Sequence, residues 1–173
     1  MEIKMKMAIF ASRTKTNRTM CLFISTKYHH AVNKEYKAKK VGRKPILVHK
    51  LLEWDNDMLQ TPYEYLPIMF ENGQRTIYGQ GFISVHDKDK REKYFTAVEE
   101  GVHAYRTEES AVNGVLEAAG NEWTFEKFYG VIPTGELYFV GRDGDIVASK
   151  MIIFKSKRNL NEYLNGKETI TIE

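Results

Sequence analysis

The sequence predicts an α+β fold, strand-dominated, with a mostly antiparallel sheet, one well-defined helix at about 107–119 and short helical turns. Three observations predict it. Most apolar runs are short, alternate with polar residues and end at Gly, Pro, Asn or Asp, which is strand and turn patterning. Only one stretch, after Thr107, keeps apolar residues at helical spacing over three turns. Gly141-Arg142-Asp143-Gly144-Asp145 separates two β-rich runs, and Asp-Gly at such a tip is a strong hairpin signal.

The stretch Glu100–Lys155 organises the chain. Gly101–Tyr105 alternates as a short half-buried strand. Thr107 stands where an N-cap belongs, and Glu108 and Glu109 suit the positive end of the helix dipole. Ala111, Val112, Val115, Leu116 and Ala119 form one apolar stripe, and Gly120 is a natural C′ residue. Trp123, Phe125 and Phe128–Ile132 read as an aromatic strand that Pro133 ends. Leu137–Val140 and Ile146–Phe154 read as the hairpin, its second strand central because Ile152, Ile153 and Phe154 are consecutively apolar.

Earlier in the chain, Ile3, Met5, Met7 and Ile9 alternate with Lys4, Lys6 and Ala8, and with Met20–Ser25 suggest an opening hairpin. Tyr28–Lys44 reads as a short helix or an extended loop, interrupted by Gly42 and Pro45. Ile46–Leu52 reads as a buried strand running into Trp54, with Asn56 or Asp57 capping a helical turn. Tyr63–Phe70 is expected to be irregular but packed by its aromatics, and Asn72-Gly73 is a turn. Thr76–Tyr78 and Phe82–Val85 are short strands, and Gly79 and Gly81 suggest a bulge or a close backbone approach. Asp87–Lys93 is a charged loop. Leu160, Tyr163 and Leu164 are weak helical anchors, and Ile170 and Ile172 a last edge strand.

The 173 residues are read as one domain, 1–173, in which residues 1–50 are basic and residues 51–173 form an acidic scaffold. Residues 1–50 hold thirteen Lys or Arg against two Glu, a balance of +11. The rest holds thirteen against twenty-one, a balance of −8. Such a split marks an anionic partner for the basic segment, unless the two regions neutralise each other across the fold. A single cysteine, Cys21, excludes an internal disulfide framework. No run of about 18 apolar residues and no apolar leader stretch is present, so a cytoplasmic protein without a membrane span is expected.

The candidate binding residues are Lys27, Tyr28, His29, His30, Lys34, Tyr36, Lys37, Lys39, Lys40, Arg43 and Lys44, within a basic segment extending to Lys50. Lysines and arginines interleaved with Tyr28, Tyr36 and two histidines form a composition that contacts phosphates and stacks on bases. A solvated face and an acidic protein surface are the competing readings. His29, His30, His49, His86 and His103 show no metal-ligand spacing with Cys21, so no metal is expected. Tyr78–Phe82 lacks the third glycine and the Gly-Lys-Ser/Thr ending of a nucleotide loop, so no cofactor is expected either. Asp143 and Asp145 flank a turn glycine without the later ligands of a calcium loop.

Two runs resemble known domains. Gly101-Val102-His103-Ala104-Tyr105, with Glu109 and Ala111, resembles the Gly-x-His-Ala-aromatic … Glu-x-Ala run of small domains in phage and bacterial accessory proteins. Ile132-Pro133-Thr134-Gly135, with Tyr138, Gly141 and Ala148-Ser149-Lys150, is similar to the hairpin that closes such domains. The resemblance covers the last third to half of the chain and implies no catalytic residue. A similar strand-turn-strand ends ADP-ribosyltransferase folds, but the place of their Glu-x-Glu pair reads Ile146-Val147-Ala148-Ser149 here. The expected function is therefore a non-catalytic accessory protein, encoded by a phage or mobile element, that binds a macromolecule, for example to inhibit a nucleic-acid-directed defence. Direct nucleic-acid binding through 27–50 and a small enzyme with a degenerate transferase-like site are the alternatives.

Overall fold

The longest strand, Ile46–Asp55, puts alternate residues on two differently covered faces, and other described elements pack on both. The computed structural model describes residues 22–25, 27–28, 31–32, 35–62, 66–79, 85–87, 96–98, 101–118 and 124–173. In chain order the elements are β1 (Leu22–Phe23), β2 (Ala31–Val32), β3 (Glu35–Tyr36), β4 (Lys39–Lys40), β5 (Ile46–Asp55), β6 (Met58–Gln60), β7 (Gln74–Tyr78), β8 (Val85–Asp87), β9 (Thr96–Val98) and β10 (Val102–Tyr105). Then follow α1 (Glu108–Ala118), β11 (Thr124–Ile132), β12 (Leu137–Val140), β13 (Asp145–Ala148), β14 (Lys150–Phe154) and α2 (Lys157–Leu164). The expected class holds: strands dominate and their pairing is antiparallel.

The main sheet runs β4-β12-β13-β10-β5-β11-β14-β7, with β6 also on β5. It closes on itself, because β13 and β14 are consecutive pieces of one chain segment. Going round, β5 pairs β11, β11 pairs β14, Ser149 joins β14 to β13, β13 pairs β10, and β10 returns to β5 at Tyr105↔His49. The circuit encloses a small barrel-like core. Ile46, Val48 and Leu52 of β5 face Val102 and Ala104, Phe128 and Ile132, and Ile146 and Ala148 within it.

Ser149 is the corner. Even-numbered residues of β13 point into the core, but beyond Ser149 the odd-numbered Met151 and Ile153 do so. One extra residue reverses strand alternation, as in a β-bulge. Its polar groups are all used: the amide donates to Leu137 O (2.9 Å), the carbonyl accepts from Gly79 N (2.8 Å), and Oγ accepts from Leu137 N (2.9 Å) while donating to Glu136 (2.8 Å). The run Ile146–Phe154, read in the sequence as one strand, is therefore two. Gly130 lies on the inward face of β11, where a Cβ would stand 3.0 Å from Val48 Cγ2 and 3.3 Å from Met151 Sδ. Its lack of a side chain lets the walls approach.

Three smaller apolar layers cover the outside. α1 lays Ala111 on Leu51, with Tyr105 and Phe125 alongside. Thr107 is its cap, accepting from Ser110 N at 3.1 Å. α2 buries Leu160 against Val131, Ile152 and Phe154. Ser156 accepts from Asn159 N at 3.2 Å to start α2, and Asn165 at φ 47° ends it. The small sheet β1-β9-β8 puts Leu22, Ile24 and Val98 on Phe139 and Val147.

Several local expectations are corrected. Tyr28–Lys44 is neither a helix nor a plain loop; it contains β2, β3 and β4, because this chain supplies an edge to the sheet. Asn56 and Asp57 form a hairpin turn between β5 and β6, with Asn56 at φ 53°, rather than a helical cap. Ile170 makes only an isolated bridge with Ile46, not a strand. The Ile3–Ile9 strand, Cys21, Gly120 and Tyr63–Tyr65 lie outside the described residues; of the aromatic stretch, Phe70 tilts on Phe128 at 5.5 Å while Leu66 and Met69 are exposed. No helix among the described residues is long and apolar enough to cross a membrane.

Candidate anion-binding edge

β4 ends the main sheet. Lys39 pairs Tyr138 and Lys40 pairs Leu137, while Val41 just beyond is buried in the central core. Val41 anchors the edge through its amide to Glu136 O (2.8 Å) and its carbonyl to Gly135 N (3.0 Å). Pinned at Val41, the short strand presents Lys39 and Lys40 to solvent, and Lys37 and Arg43 flank them, also exposed. Lysines on a short edge strand oppose pairing with another sheet, and here they also concentrate positive charge.

Tyr28 gathers more of it. Ser25 accepts from its amide (3.2 Å), and the half-buried ring packs on the central core. Three cations surround that ring: Lys27 Nζ at 5.0 Å, Lys39 Nζ at 5.7 Å and the Arg106 guanidinium carbon at 5.9 Å from its centroid. Each cation–π contact is worth about 0.5–1 kcal/mol at an accessible site. No two of the three charges are more than about 12 Å apart, so mutual repulsion of at least about 0.35 kcal/mol per pair opposes them in water. Arg106 is placed by its own amide, which donates to Gly144 O at 2.8 Å in the β12–β13 hairpin tip. Its Nε is sealed from solvent with no hydrogen-bond partner among the described residues.

Asp145 stands at the foot of the same hairpin. One carboxylate oxygen, Oδ1, is sealed and has no donor among the described residues. Burial, reinforced by the Asp143 carboxylate, pushes Asp145 up to about 6; backbone donors and Arg106 only partly offset this. Arg106 and Asp145 thus influence each other through space without forming an ion pair among the described residues.

The residues chosen from sequence divide unevenly. Lys27, Tyr28 and Lys39 come together, and Lys37, Lys40 and Arg43 flank them. Lys44 is drawn away into an ion pair with Glu168. Lys50 is not on the surface at all. It follows the inward alternation of Ile46 and Val48, is buried, and donates to His103 O at 2.5 Å. Tyr36 lies in β3, which pairs β2; His29, His30 and Lys34 lie outside the described residues. Arg106 was missed because it sits 56 or more positions from the basic segment, and the pairing of β10 with β13 brings it there.

A second titratable cluster lies on the outer face of β5. His49 is buried beside Tyr129, with ring centroids 5.7 Å apart. Burial lowers its imidazole below the ordinary value, the Lys127 ammonium adds to this, and Glu108 opposes it. Lys127 is hydrogen-bonded to Glu108 and lies 4.9 Å from the Tyr129 ring. His49 Nδ1 is sealed without a partner among the described residues, while the Glu108 carboxylate at the cluster's rim is exposed. On the far edge, Glu71, Gln74, Arg75 and Tyr78 line an open polar groove of about 410 Å³. Among the described residues no three His, Cys, Asp or Glu are placed to hold a metal ion. The segment that would carry a transferase's carboxylate pair has Ile146, Val147 and Ala148 fully buried and Ser149 committed to the corner.

Compared with known proteins, the chain matches no family model, and no curated protein and no solved structure is significantly similar to it. The Gly101–Ala111 and Ile132–Lys150 runs therefore mark a strand, a helix and a hairpin, and bring no functional residue with them.

Proposed function

We propose that this protein binds nucleic acid without acting on it, holding the phosphate backbone along the β4 edge. One observation carries the reading. Lys27, Lys37, Lys39, Lys40 and Arg43 are exposed along one edge, and none forms an ion pair among the described residues. Charges that served only to neutralise the acidic scaffold would be paired with it, as Lys44 is with Glu168. The role of an accessory protein that interferes with a nucleic-acid-directed system rests on the same edge, since a protein that covers a strand denies it to other proteins.

Five phosphate contacts on a single strand give a slope of log affinity against log salt of about −3.5. Fluorescence anisotropy with a labelled oligothymidylate between 50 and 300 mM salt measures it (about the range where such slopes are read). Charge reversal at Lys39 and Lys40 should weaken binding more than tenfold and flatten the slope by about 1.4. Absent binding at low salt, or binding that ignores salt, overturns the reading.

A further inference from the structure

The ring of Tyr28 is the least expected feature of this edge, and the inference drawn from it rests on the nucleic-acid reading above. An aromatic in a basic segment ordinarily offers its face to a base. Here three cations from three separate regions of the chain crowd around that ring instead. Lys27 follows the Ile24–Gly141 bridge, Lys39 comes from the sheet edge, and Arg106 arrives from the end of β10. We propose that Lys27, Lys39 and Arg106 form a phosphate-binding subsite built on Tyr28, in which the tyrosine holds the cations and the cations hold one phosphate of the strand.

Three observations and the chemistry of phosphate converge on it. The three charges share one half-buried platform, so they are gathered near one another before a ligand arrives and less ordering remains for binding to supply. The Arg106 Nε is buried and lacks an acceptor among the described residues, so the fork is positioned by packing and by its backbone contact to Gly144 rather than by an ion pair. Asp145, the buried carboxylate that feels Arg106 through space, forms no ion pair with the guanidinium among the described residues, so it does not occupy the fork. A phosphate has several oxygens that accept from separate cations at once, whereas a carboxylate is satisfied by a single fork. Because the contact is to phosphate and not to a base edge, it carries no sequence information.

The test uses the full chain and anisotropy titrations of a labelled oligothymidylate and of an abasic strand of equal length. Wild type should bind both strands within about twofold, since no base stacks on Tyr28. Arg106→Gln should weaken oligothymidylate binding about five- to tenfold and flatten the salt slope by less than the ~0.7 of a whole phosphate contact, since Lys27 and Lys39 still hold the same phosphate. Arg106→Lys keeps the charge but not the fork; it should bind about two- to fivefold more weakly than wild type, and it serves as the reporter if the glutamine variant melts early. Inorganic phosphate should displace the strand from wild type at lower concentration than from Arg106→Gln if the group recognised is a free phosphate as well as a diester. Equal displacement of both, with the slope change retained, assigns the site to the strand's diester alone. Unchanged affinity and slope in both Arg106 variants, with binding still lost on reversal of Lys39 and Lys40, overturns the subsite and leaves the edge standing. A wild type that binds neither strand overturns the edge itself. Strong preference for the strand with bases restores Tyr28 to stacking and refutes the inference.

Discussion

Replacing Asp145 by asparagine separates what the fold needs from what the hairpin tolerates. The carboxyl moves from an ordinary 3.8 to about 6 in the fold, roughly two units at about 1.4 kcal/mol each. That sets an upper bound of about 3 kcal/mol for ionising Asp145 in place, and partial exposure together with backbone donors an amide can also use reduces it to about 2 kcal/mol. A raised folded value means that the native state binds the proton more tightly than the unfolded chain. The associated stability is fully present below 3.8 and is lost as pH rises through about 6. Urea unfolding at about pH 4 and pH 7.5 reads this directly. Asp145→Asn should be more stable than wild type by about 2 kcal/mol at the higher pH and within about 0.5 kcal/mol of it at the lower. A variant destabilised equally at both would refute the reasoning, since it would mean that the ionised carboxylate contributes to the fold rather than straining it.

Three further outcomes follow from neighbouring structure. The His49 imidazole should titrate below its ordinary 6.5 by NMR, and Lys127→Met should raise its midpoint by removing the adjacent ammonium. Because the folded value is depressed, His49 contributes stability above 6.5 that is lost as pH falls through its folded midpoint; a midpoint above 6.5 would contradict its burial. Gly144→Ala should cost about 2 kcal/mol or more in a urea melt, since Gly144 sits at φ 82° and a Cβ would stand 2.2 Å from Ser110 Oγ; a loss under about 0.5 kcal/mol would mean that the hairpin tip can re-form elsewhere. Leu160→Ala should cost about 2–4 kcal/mol by emptying the layer beneath α2, and a negligible loss would show that α2 is not docked on Val131, Ile152 and Phe154.

The elements with strong local chemistry were legible in the sequence. Thr107 caps α1, Pro133 follows the end of β11, and Gly144 turns the β12–β13 hairpin, because each acts through its own backbone and near neighbours. Closure of the sheet was not legible. It depends on one serine whose extra place in the alternation shifts the inward face from Ile146 and Ala148 to Met151 and Ile153, and an uninterrupted β-rich run gives no sign of that shift. The same limit explains Lys50: composition grouped it with the surface lysines, while strand parity placed it inside. For the edge, the sequence supplied Lys27, Tyr28 and Lys39 as near neighbours, but Arg106 joins them only through long-range pairing of β10. Composition places Tyr28 among the cations but cannot tell whether its ring faces a ligand or those cations.

Mapping a titration with unlabelled oligothymidylate onto the backbone amide signals of the isotope-labelled full chain tests the central claim most directly. The account predicts salt-sensitive shifts concentrated at Lys37–Arg43, Tyr28 and Arg106, with the α1 and α2 faces silent. Shifts centred instead on the Glu71–Tyr78 groove or around His49, or no shifts at low salt, would contradict it.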